Sequence, residues 1–370
     1  MVYSVWNFSK MPSEVPMFEQ TAVAMSGGVD SSAAAWLLRQ EGRPLVGFTL
    51  QLFPPRTGED PARDAGQAAR AMGFPHHTVE MAQTFREQVI DPFVADYEVG
   101  RTPNPCVLCN RRIKFGALLQ QALDCGCDKL ATGHYARLSL DRGSGRWLLR
   151  KALHPEKDQS YVLSTLGQDQ LAHALFPLGG LTKAQVRDIA RQAGLSVAHK
   201  GESQDICFVP DGDYGAFLRR YTGRDYPAGP FLDPEGRVLG QHTGIVDYTV
   251  GQRRGLGVSS SCGRLYVREI RPADRAVVLS DNSSLFGRTL AADGLNLIAC
   301  RQLDRPTRLW AKIRYRMTEQ PCTVEQTGPD TIRLVFDQPQ RAITPGQTVA
   351  LYDGDTVVGG ATILRGASEP

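Results

Sequence analysis

The segment "AMSGGVDSS", residues 24–32, joins an apolar run, "TAVAMS", to "SSAAAWLLRQEG", which has helical periodicity and ends in a glycine. These patterns predict a buried strand, a glycine loop and a helix, in that order. At such a junction, the free N–H groups of the first helical turn and the helix dipole both favour an anion. Gly27 and Gly28 allow close approach of the backbone, and the serines of the segment add hydroxyl donors. The segment therefore predicts a phosphate site.

A carboxylate, Asp30, lies in the middle of this loop. Magnesium is held in proteins by one or two carboxylates together with phosphate oxygens. We therefore predict that Asp30 holds Mg²⁺ on a departing pyrophosphate, with attack at the α-phosphate of a nucleotide. The alternative is an aspartate that only complements the helix dipole. The loop matches neither G-x-x-x-x-G-K-[ST] nor G-x-G-x-x-G.

The chain around this loop alternates short apolar runs with helical ones as far as Cys207. "PLVGFTLQLF", "HHTVEM" and "CDKLATGHYA" predict further strands, whereas "DAGQAARAMG" and "RRIKFGALLQQALDCG" predict helices. This alternation predicts an α/β domain with a doubly wound parallel sheet, and its glycine loop resembles that of the adenine nucleotide α-hydrolase-like domains. Later, short strands with glycine turns predict two small β-rich domains, the last a β-barrel. We expect a loose leader at 1–20 and domains at 21–209, 210–283 and 284–370.

The composition sets broad limits on function. With 370 residues the chain exceeds one ordinary core, and 42% hydrophobic with 22% charged residues is typical of a globular protein. No run of 18 or more apolar residues predicts a membrane span, and we find no secretory signal. Eight cysteines in this setting favour a reducing compartment, so we expect a cytoplasmic protein. A net charge of +3 does not by itself imply a nucleic-acid partner.

The cysteines allow three interpretations. Cys106, Cys109, Cys125 and Cys127 could bind zinc, since C-x-x-C is a zinc half-site. However, the helix between the two pairs, at ~1.5 Å per residue, would place them ~20 Å apart. The cysteines could also be buried core thiols without a catalytic role.

The third interpretation is paired sulfur chemistry, in which Cys109 and Cys207 meet in one pocket. Cys109 precedes two arginines, Arg111 and Arg112, at a predicted helix start. Both the helix dipole and the cations should lower the pKa of its thiol and favour the thiolate.

A basic segment, "RLWAKIRYR", lies in the predicted barrel. Strand alternation would place Arg308, Trp310, Lys312, Arg314 and Arg316 on one face. Cations and an indole on one surface suit RNA phosphates and base stacking. The alternative is a solvated strand face.

Longer motifs carry a family resemblance. "TPNPCVLCNRRIKF", "ATGHYAR", "KDQSYVL", "GESQDICF", "YTVGQRRGLG", "IRYR" and "PGQ" follow "SGGVDSS" in this order. From Thr21 to about Ile363 the chain resembles the tRNA-specific 2-thiouridylases, which are adenylating enzymes of the N-type ATP pyrophosphatase group. The resemblance implies conversion of the wobble uridine of tRNA to 2-thiouridine, with ATP and a protein-borne persulfide. Implied partners are tRNAs for glutamate, glutamine and lysine, and a sulfur-relay protein or cysteine desulfurase.

The resemblance also implies site residues. Those matching the ATP site are Ala24, Met25, Ser26, Gly27, Gly28, Val29, Asp30, Ser31, Leu50 and Gly133. Those matching tRNA-contacting positions are Asn104, Pro105, Cys106, His134, Lys157, Asp158, Gln159, Arg314, Tyr315 and Gln347. Family members commonly have Met at the position of Leu50, and some have Asp at that of Cys106. Cys106 is therefore either a third sulfur ligand or a spectator. The Arg314–Tyr315 pair would straddle both strand faces, so we expect a strand end or bulge there.

The implied chemistry begins with adenylation of the uracil C2 oxygen, which turns it into a good leaving group. Cys207 would carry the sulfur as a persulfide and Cys109 would act as the second thiol. We expect a mobile "GESQDICF" segment to bring them together. Alternatively, Cys106, Cys109 and Cys207 hold a [4Fe–4S] cluster whose free iron binds sulfide. Rival functions are an adenylating ligase with a small-molecule acceptor, and a non-catalytic tRNA-binding protein with a vestigial loop.

Overall fold

The computed structural model describes residues 20–53, 60–195, 206–258 and 263–364. The strands are β1 (Thr21–Ala24), β2 (Leu45–Gln51), β3 (His76–Glu80), β4 (Lys129–Ala131), β5 (Ala136–Asp141), β6 (Arg146–Lys151), β7 (Ala174–Leu175), β8 (Gly229–Leu232), β9 (Val238–His242), β10 (Tyr266–Arg271), β11 (Ala276–Ser280), β12 (Phe286–Leu297), β13 (Thr307–Lys312), β14 (Gln320–Gln326), β15 (Ile332–Arg341), β16 (Thr348–Asp353) and β17 (Thr356–Ile363). The predicted leader lies outside the described residues, except for Gln20.

The helices are α1 (Val29–Gln40), α2 (Pro61–Ala71), α3 (82–98), α4 (105–124), α5 (Ser160–Leu163), α6 (Gln168–His173), α7 (Lys183–Gln192) and α8 (Tyr214–Thr222). Two of them contain π-helical turns, at Arg86–Ile90 in α3 and at Cys109–Leu118 in α4. No helix in the described parts of the chain is long and apolar enough to cross a bilayer.

The first sheet is parallel, with the strand order β3-β2-β1-β4-β7. The chain builds outward from β1 to β3 and then begins again on the other side of β1. The carboxyl ends of β1 and β4 therefore flank the switch point, where ligands bind in open α/β sheets. Ala22 and Val23 of β1 are fully buried, as are Ala33, Ala34 and Ala35 of α1. The predicted α/β class is confirmed.

A small central domain follows, with the sheet order β10-β11-β8-β9. Its helix α8, which the sequence analysis did not predict, packs Phe217 and Leu218 against Phe93 and Tyr97 of α3. This apolar cluster joins the central domain to the α/β domain.

The C-terminal strands close into a six-stranded barrel, in the order β12-β15-β14-β13-β16-β17, with β12 paired to β17. This confirms the predicted barrel. The hairpin β5–β6 of the first domain extends the same sheet, because Arg150 pairs with Thr356 of β17. Asp355 accepts from Arg137 and Arg150, at 2.8 Å each, and ties the hairpin to the barrel.

The predicted five-residue basic face in the barrel is wrong. Strand β13 ends at Lys312, so Arg314 and Arg316 lie in the turn that follows. Strand alternation therefore does not govern them, and the expected strand end before Arg314 and Tyr315 is confirmed.

The two cations that remain on β13, Arg308 and Lys312, lie beside carboxylates. Arg308 forms a paired contact with Asp337, and the Lys312 side chain, only 12% exposed, lies 3.7 Å from Asp158. Trp310, in contrast, is 43% exposed. The strand thus carries paired charges and one exposed indole rather than a row of free cations.

Candidate active site

The predicted phosphate loop is built around Gly27. Its φ is +68°, a conformation that L side chains rarely adopt, and a Cβ there would lie 2.6 Å from the Pro61 carbonyl oxygen. The Ser31 hydroxyl donates to the Gly28 carbonyl and accepts from the Ser26 amide, at 3.2 and 3.1 Å. Gly28 is the N-cap of α1 and provides no side-chain cap. The first-turn N–H groups of α1 thus face a compact loop that suits a phosphate.

A second glycine, Gly133, closes this cradle from the segment that follows β4. A Cβ on Gly133 would lie 2.7 Å from the Ser31 nitrogen and 2.8 Å from the Asp30 carbonyl carbon. Met25 is buried and donates its amide to Phe48 of β2 at 2.8 Å. The remaining predicted ATP residues lie along the same edge: Ala24 ends β1, Val29 begins α1, and Leu50 lies near the end of β2. The structure thus brings the predicted ATP residues together, and their arrangement fits a nucleotide.

Asp30 has a partner that the sequence analysis missed. Its two carboxylate oxygens accept from the Lys183 ammonium at 2.7 and 2.8 Å, and Oδ1 also accepts from the Tyr135 hydroxyl at 2.8 Å. A single carboxylate beside phosphates fits the ligand habit of Mg²⁺. The sequence did hold one signal near Lys183, because Thr182 and Gln185 form a capping box that starts α7.

The three cysteines come from two segments. Cys106 and Cys109 lie on α4, one helical turn apart. Cys207 precedes Phe208, whose ring packs edge-on against Phe85 and Phe93 of α3, with centroids 5.8 and 5.2 Å apart. This aromatic anchor brings Cys207 close enough to Cys106 and Cys109 for both to raise its pKa. Residues 201–205 of the predicted mobile segment lie outside the described residues.

Cys106 and Cys207 are exposed at the surface and Cys109 is partly exposed. Desolvation by the protein around them nevertheless raises the pKa of Cys207 to about 12 and also raises those of Cys106 and Cys109. The prediction of a lowered Cys109 pKa is therefore wrong. Helix α4 begins at Pro105, so Cys109 lies past its first turn, where the dipole is weaker.

The cation that acts on the thiols is Lys114, which sequence reasoning missed. It lowers the pKa of Cys106, Cys109 and Cys207 against the effect of burial. Residues five apart lie on different faces of an α-helix, whereas the i→i+5 turn of a π-helix stacks them. The π-helical segment Cys109–Leu118 therefore explains why Lys114 lies on the same face of α4 as Cys109.

The zinc alternative finds no support in this geometry. Cys125 follows the end of α4 and is exposed, whereas Cys106 and Cys109 lie at its start. Burial raises the pKa of Cys127 to about 11. Within the four described ranges, no three His, Cys, Asp or Glu side chains are grouped to hold a metal ion. This geometry does not support zinc at the four predicted cysteines, whereas a [4Fe–4S] cluster on Cys106, Cys109 and Cys207 stays a prediction.

Four of the predicted tRNA-contacting residues lie near the thiols or near Lys114. Asn104 caps α4 by accepting the Cys106 amide at 3.1 Å, and Pro105 is the first helical residue. Burial, then Asp158 and then the Cys106 thiol raise the pKa of Tyr315 in the barrel domain, so this tyrosine lies near Cys106. The buried His134 bonds to the Thr132 hydroxyl at 2.7 Å. Its pKa is well below the usual value, because of burial and then Lys114, so the ring is neutral.

Other predicted tRNA contacts form bonds within the protein. Asp158 is buried and accepts from the Ala152 amide at 3.0 Å. Gln159 accepts the Tyr135 amide, Gln347 donates to the Thr102 carbonyl, and Arg314 donates to the Arg341 carbonyl. Lys157 lies on the short turn Pro155–Lys157 and is partly exposed. Contact of these residues with tRNA stays a prediction.

Comparison with known families places these features in a class. Residues 19–211 match the model described as tRNA methyl transferase HUP domain, 215–281 its PRC-barrel domain, and 287–363 the aminomethyltransferase beta-barrel domain. The chain is therefore a HUP-domain protein that carries two appended β domains. The boundaries predicted at 209/210 and 283/284 stay predictions.

Three curated relatives, each described as a tRNA-specific 2-thiouridylase, MnmA, extend over nearly the whole chain. The protein of Clostridioides difficile is 42% identical, over 94% of this chain and 99% of the relative. That of Caldanaerobacter subterraneus is 44% identical, over 94% and 98%. That of Moorella thermoacetica is 47% identical, over 92% and 98%. This chain belongs to the tRNA-specific 2-thiouridylase family.

Proposed function

We propose that this chain is a cytoplasmic enzyme that replaces the C2 oxygen of the tRNA wobble uridine with sulfur, at the expense of ATP. The activity named for its relatives supports this proposal. The observation behind it is that Cys106 and Cys109 lie close enough to Cys207 to raise its pKa. All three cysteines belong to the domain that also holds the nucleotide loop. A small-molecule ligase would need that loop but not the thiols. The proposed substrates are tRNAs for glutamate, glutamine and lysine.

The first step is adenylation. The uridine C2 oxygen attacks the α-phosphorus of ATP, a P–O bond breaks, and pyrophosphate leaves. The loop at Gly27 and the N-terminus of α1 bind the phosphates, and Gly133, just after β4, packs against the start of α1. Bound Mg²⁺, held by Asp30, would offset the charge of the pyrophosphate.

The second step delivers sulfur. A donor protein, a sulfur-relay protein or a cysteine desulfurase, first leaves a terminal sulfur on Cys207 as a persulfide. This sulfur attacks C2, and AMP leaves with the original oxygen. The Cys109 thiolate then attacks Sγ of Cys207, which releases 2-thiouridine and leaves a Cys109–Cys207 disulfide. An external thiol reductant restores both thiols.

Residues around the thiols support these steps. Lys114 favours the thiolates that must react, because it opposes the effect of burial on their pKa. His134 stays neutral, so it can exchange hydrogen bonds with the uracil without adding charge. Asn104 and Pro105 fix the start of α4 and thereby place Cys106 and Cys109.

Cysteine variants test this function. We expect Cys109→Ser and Cys207→Ser each to abolish 2-thiouridine formation, measured by nucleoside mass spectrometry, while tRNA binding stays nearly unchanged. Cys125→Ser is the matched control, because Cys125 is exposed beyond the end of α4. Full thiolation by either catalytic variant would refute the assignment.

Two further measurements separate the alternatives. Anaerobic purification followed by iron and sulfide analysis would reveal a [4Fe–4S] enzyme. Iron and sulfide in stoichiometric amounts would favour the cluster mechanism over the persulfide mechanism. A non-catalytic tRNA-binding protein would release no AMP in the presence of tRNA and a sulfur donor. We expect AMP and 2-thiouridine in equal amounts.

A further inference from the structure

The ion pair between Asp30 and Lys183 joins the starts of two helices. Asp30 is the second residue of α1, and Lys183 is the first residue of α7. Both carboxylate oxygens accept from the ammonium, at 2.7 and 2.8 Å. The side chains are 34% and 14% exposed, so the pair lies mostly out of water but still opens to the loop.

The charge balance at this point is unusual. A helix N-terminus carries about half a positive charge, so a lysine at the first position of α7 opposes the dipole of its own helix. The N-terminus of α1 adds a second positive end, because Gly28 caps it without a side chain. One carboxylate, Asp30, therefore faces an ammonium and two positive helix ends. The net charge of the site is therefore positive, so a further negative charge would be stabilised there.

The carboxylate itself is held in place. The Tyr135 hydroxyl donates to its Oδ1 at 2.8 Å, and Gly133 packs against the Asp30 backbone. Lysine has four rotatable side-chain bonds, and its ammonium acts as a mobile point charge. Of the two partners, the lysine is therefore the one able to move.

We propose that Lys183 is a phosphate-binding residue that exchanges partners: it neutralises Asp30 in the free protein and pairs with an ATP phosphate oxygen once nucleotide binds, which leaves Asp30 facing Mg²⁺. This inference rests on the proposed ATP-dependent function and adds a residue to it. Before the metal binds, the Lys183 ammonium neutralises the Asp30 carboxylate, so Asp30 does not repel the incoming phosphates.

The test compares two variants that break the same ion pair from opposite sides. The dissociation constant of α,β-methylene ATP is measured by calorimetry, first in EDTA and then with Mg²⁺. In EDTA we expect Lys183→Met to weaken binding at least about tenfold, because the phosphates lose a cation and meet an unpaired carboxylate. Asp30→Asn should bind equally well or more tightly in EDTA but should lose the gain that Mg²⁺ gives. Arg191→Met removes an exposed cation from the same helix as a control.

The outcomes separate the possible explanations. If both variants lose affinity in parallel in EDTA, the pair is only a structural clamp and the inference is overturned. Unchanged affinity of Lys183→Met overturns it as well, whereas the proposed function stands if the wild type still yields AMP and 2-thiouridine. If the wild-type protein binds no ATP, both the inference about Lys183 and the proposed function are refuted. Lys183→Gln, with melting temperatures of all variants, shows whether weaker binding comes from misfolding.

Discussion

The side-chain amide of Gln347 donates a 2.7 Å hydrogen bond to the carbonyl oxygen of Thr102, three residues before α4 begins. The Thr102 amide in turn donates to the Pro345 carbonyl at 2.8 Å. A Cβ on Gly346 would lie 2.9 Å from that of Arg101, so the two segments are in close contact. The turn between β15 and β16 thus docks on the segment that leads into the cysteine helix. The barrel therefore helps to place the thiols.

We expect Gln347→Leu to lower the free energy of unfolding by about 1 kcal/mol, because the Thr102 carbonyl loses its side-chain donor. Thiolation should slow, because the start of α4 is less firmly held. Denaturant titration and a tRNA binding assay measure the two effects separately. A variant of unchanged stability that binds tRNA more weakly would show that Gln347 acts as a tRNA contact instead.

The glycine loop gives a prediction with an internal control. Gly27 and Gly42 both have positive φ, +68° and +79°, but a Cβ on Gly42 meets nothing within 4 Å. We expect Gly42→Ala to destabilise the protein by about 1 kcal/mol and to leave ATP binding unchanged. Gly27→Ala should cost more and should abolish ATP binding, because its methyl group meets the Pro61 backbone. Equal effects of both variants in calorimetry would contradict the proposed role of the loop.

The glycine loop was predictable from sequence because its determinants are adjacent in the chain. An apolar run, two glycines and an alanine-rich helix are enough to predict β1, the loop and α1. Lys183 was not predictable, because it reaches Asp30 only through the packing of α7 beside α1, 153 positions later. Periodicity gives no information on such contacts between distant segments.

The thiol environment shows a second limit. Asn104-Pro105 is a helix-start signature, and with it Cys109 belongs inside α4 rather than at its start. The π-helical register that aligns Lys114 with Cys109 has no comparable sequence signal. Burial, the largest influence on the Cys109 pKa, depends on the completed fold.

Thiol reactivity tests the part played by Lys114. Thiolates, not thiols, react with iodoacetamide, and the pKa of Cys109 is raised above its usual value. We therefore expect slow alkylation near neutral pH that accelerates as the pH rises. Lys114→Met should slow it further, because it removes the cation that, among the described residues, lowers the Cys109 pKa. Peptide mass spectrometry gives the rate at each cysteine, with Cys125 as the internal reference, and faster alkylation of Cys109 in the variant would refute this role.

The buried His134 predicts a pH dependence of stability. Its pKa is well below the usual value in the folded protein, whereas the unfolded chain takes up a proton near pH 6.5. The unfolded state therefore binds more protons below that pH, and this group lowers stability as the pH falls from 7.5 to 5.5, by on the order of 1 kcal/mol. We expect His134→Gln to lose this contribution in denaturant titrations at the two pH values. His76 and His242, whose pKa values burial also lowers, remain in the variant and set the residual slope. An identical pH dependence in wild type and variant would show that His134 is protonated in the folded protein.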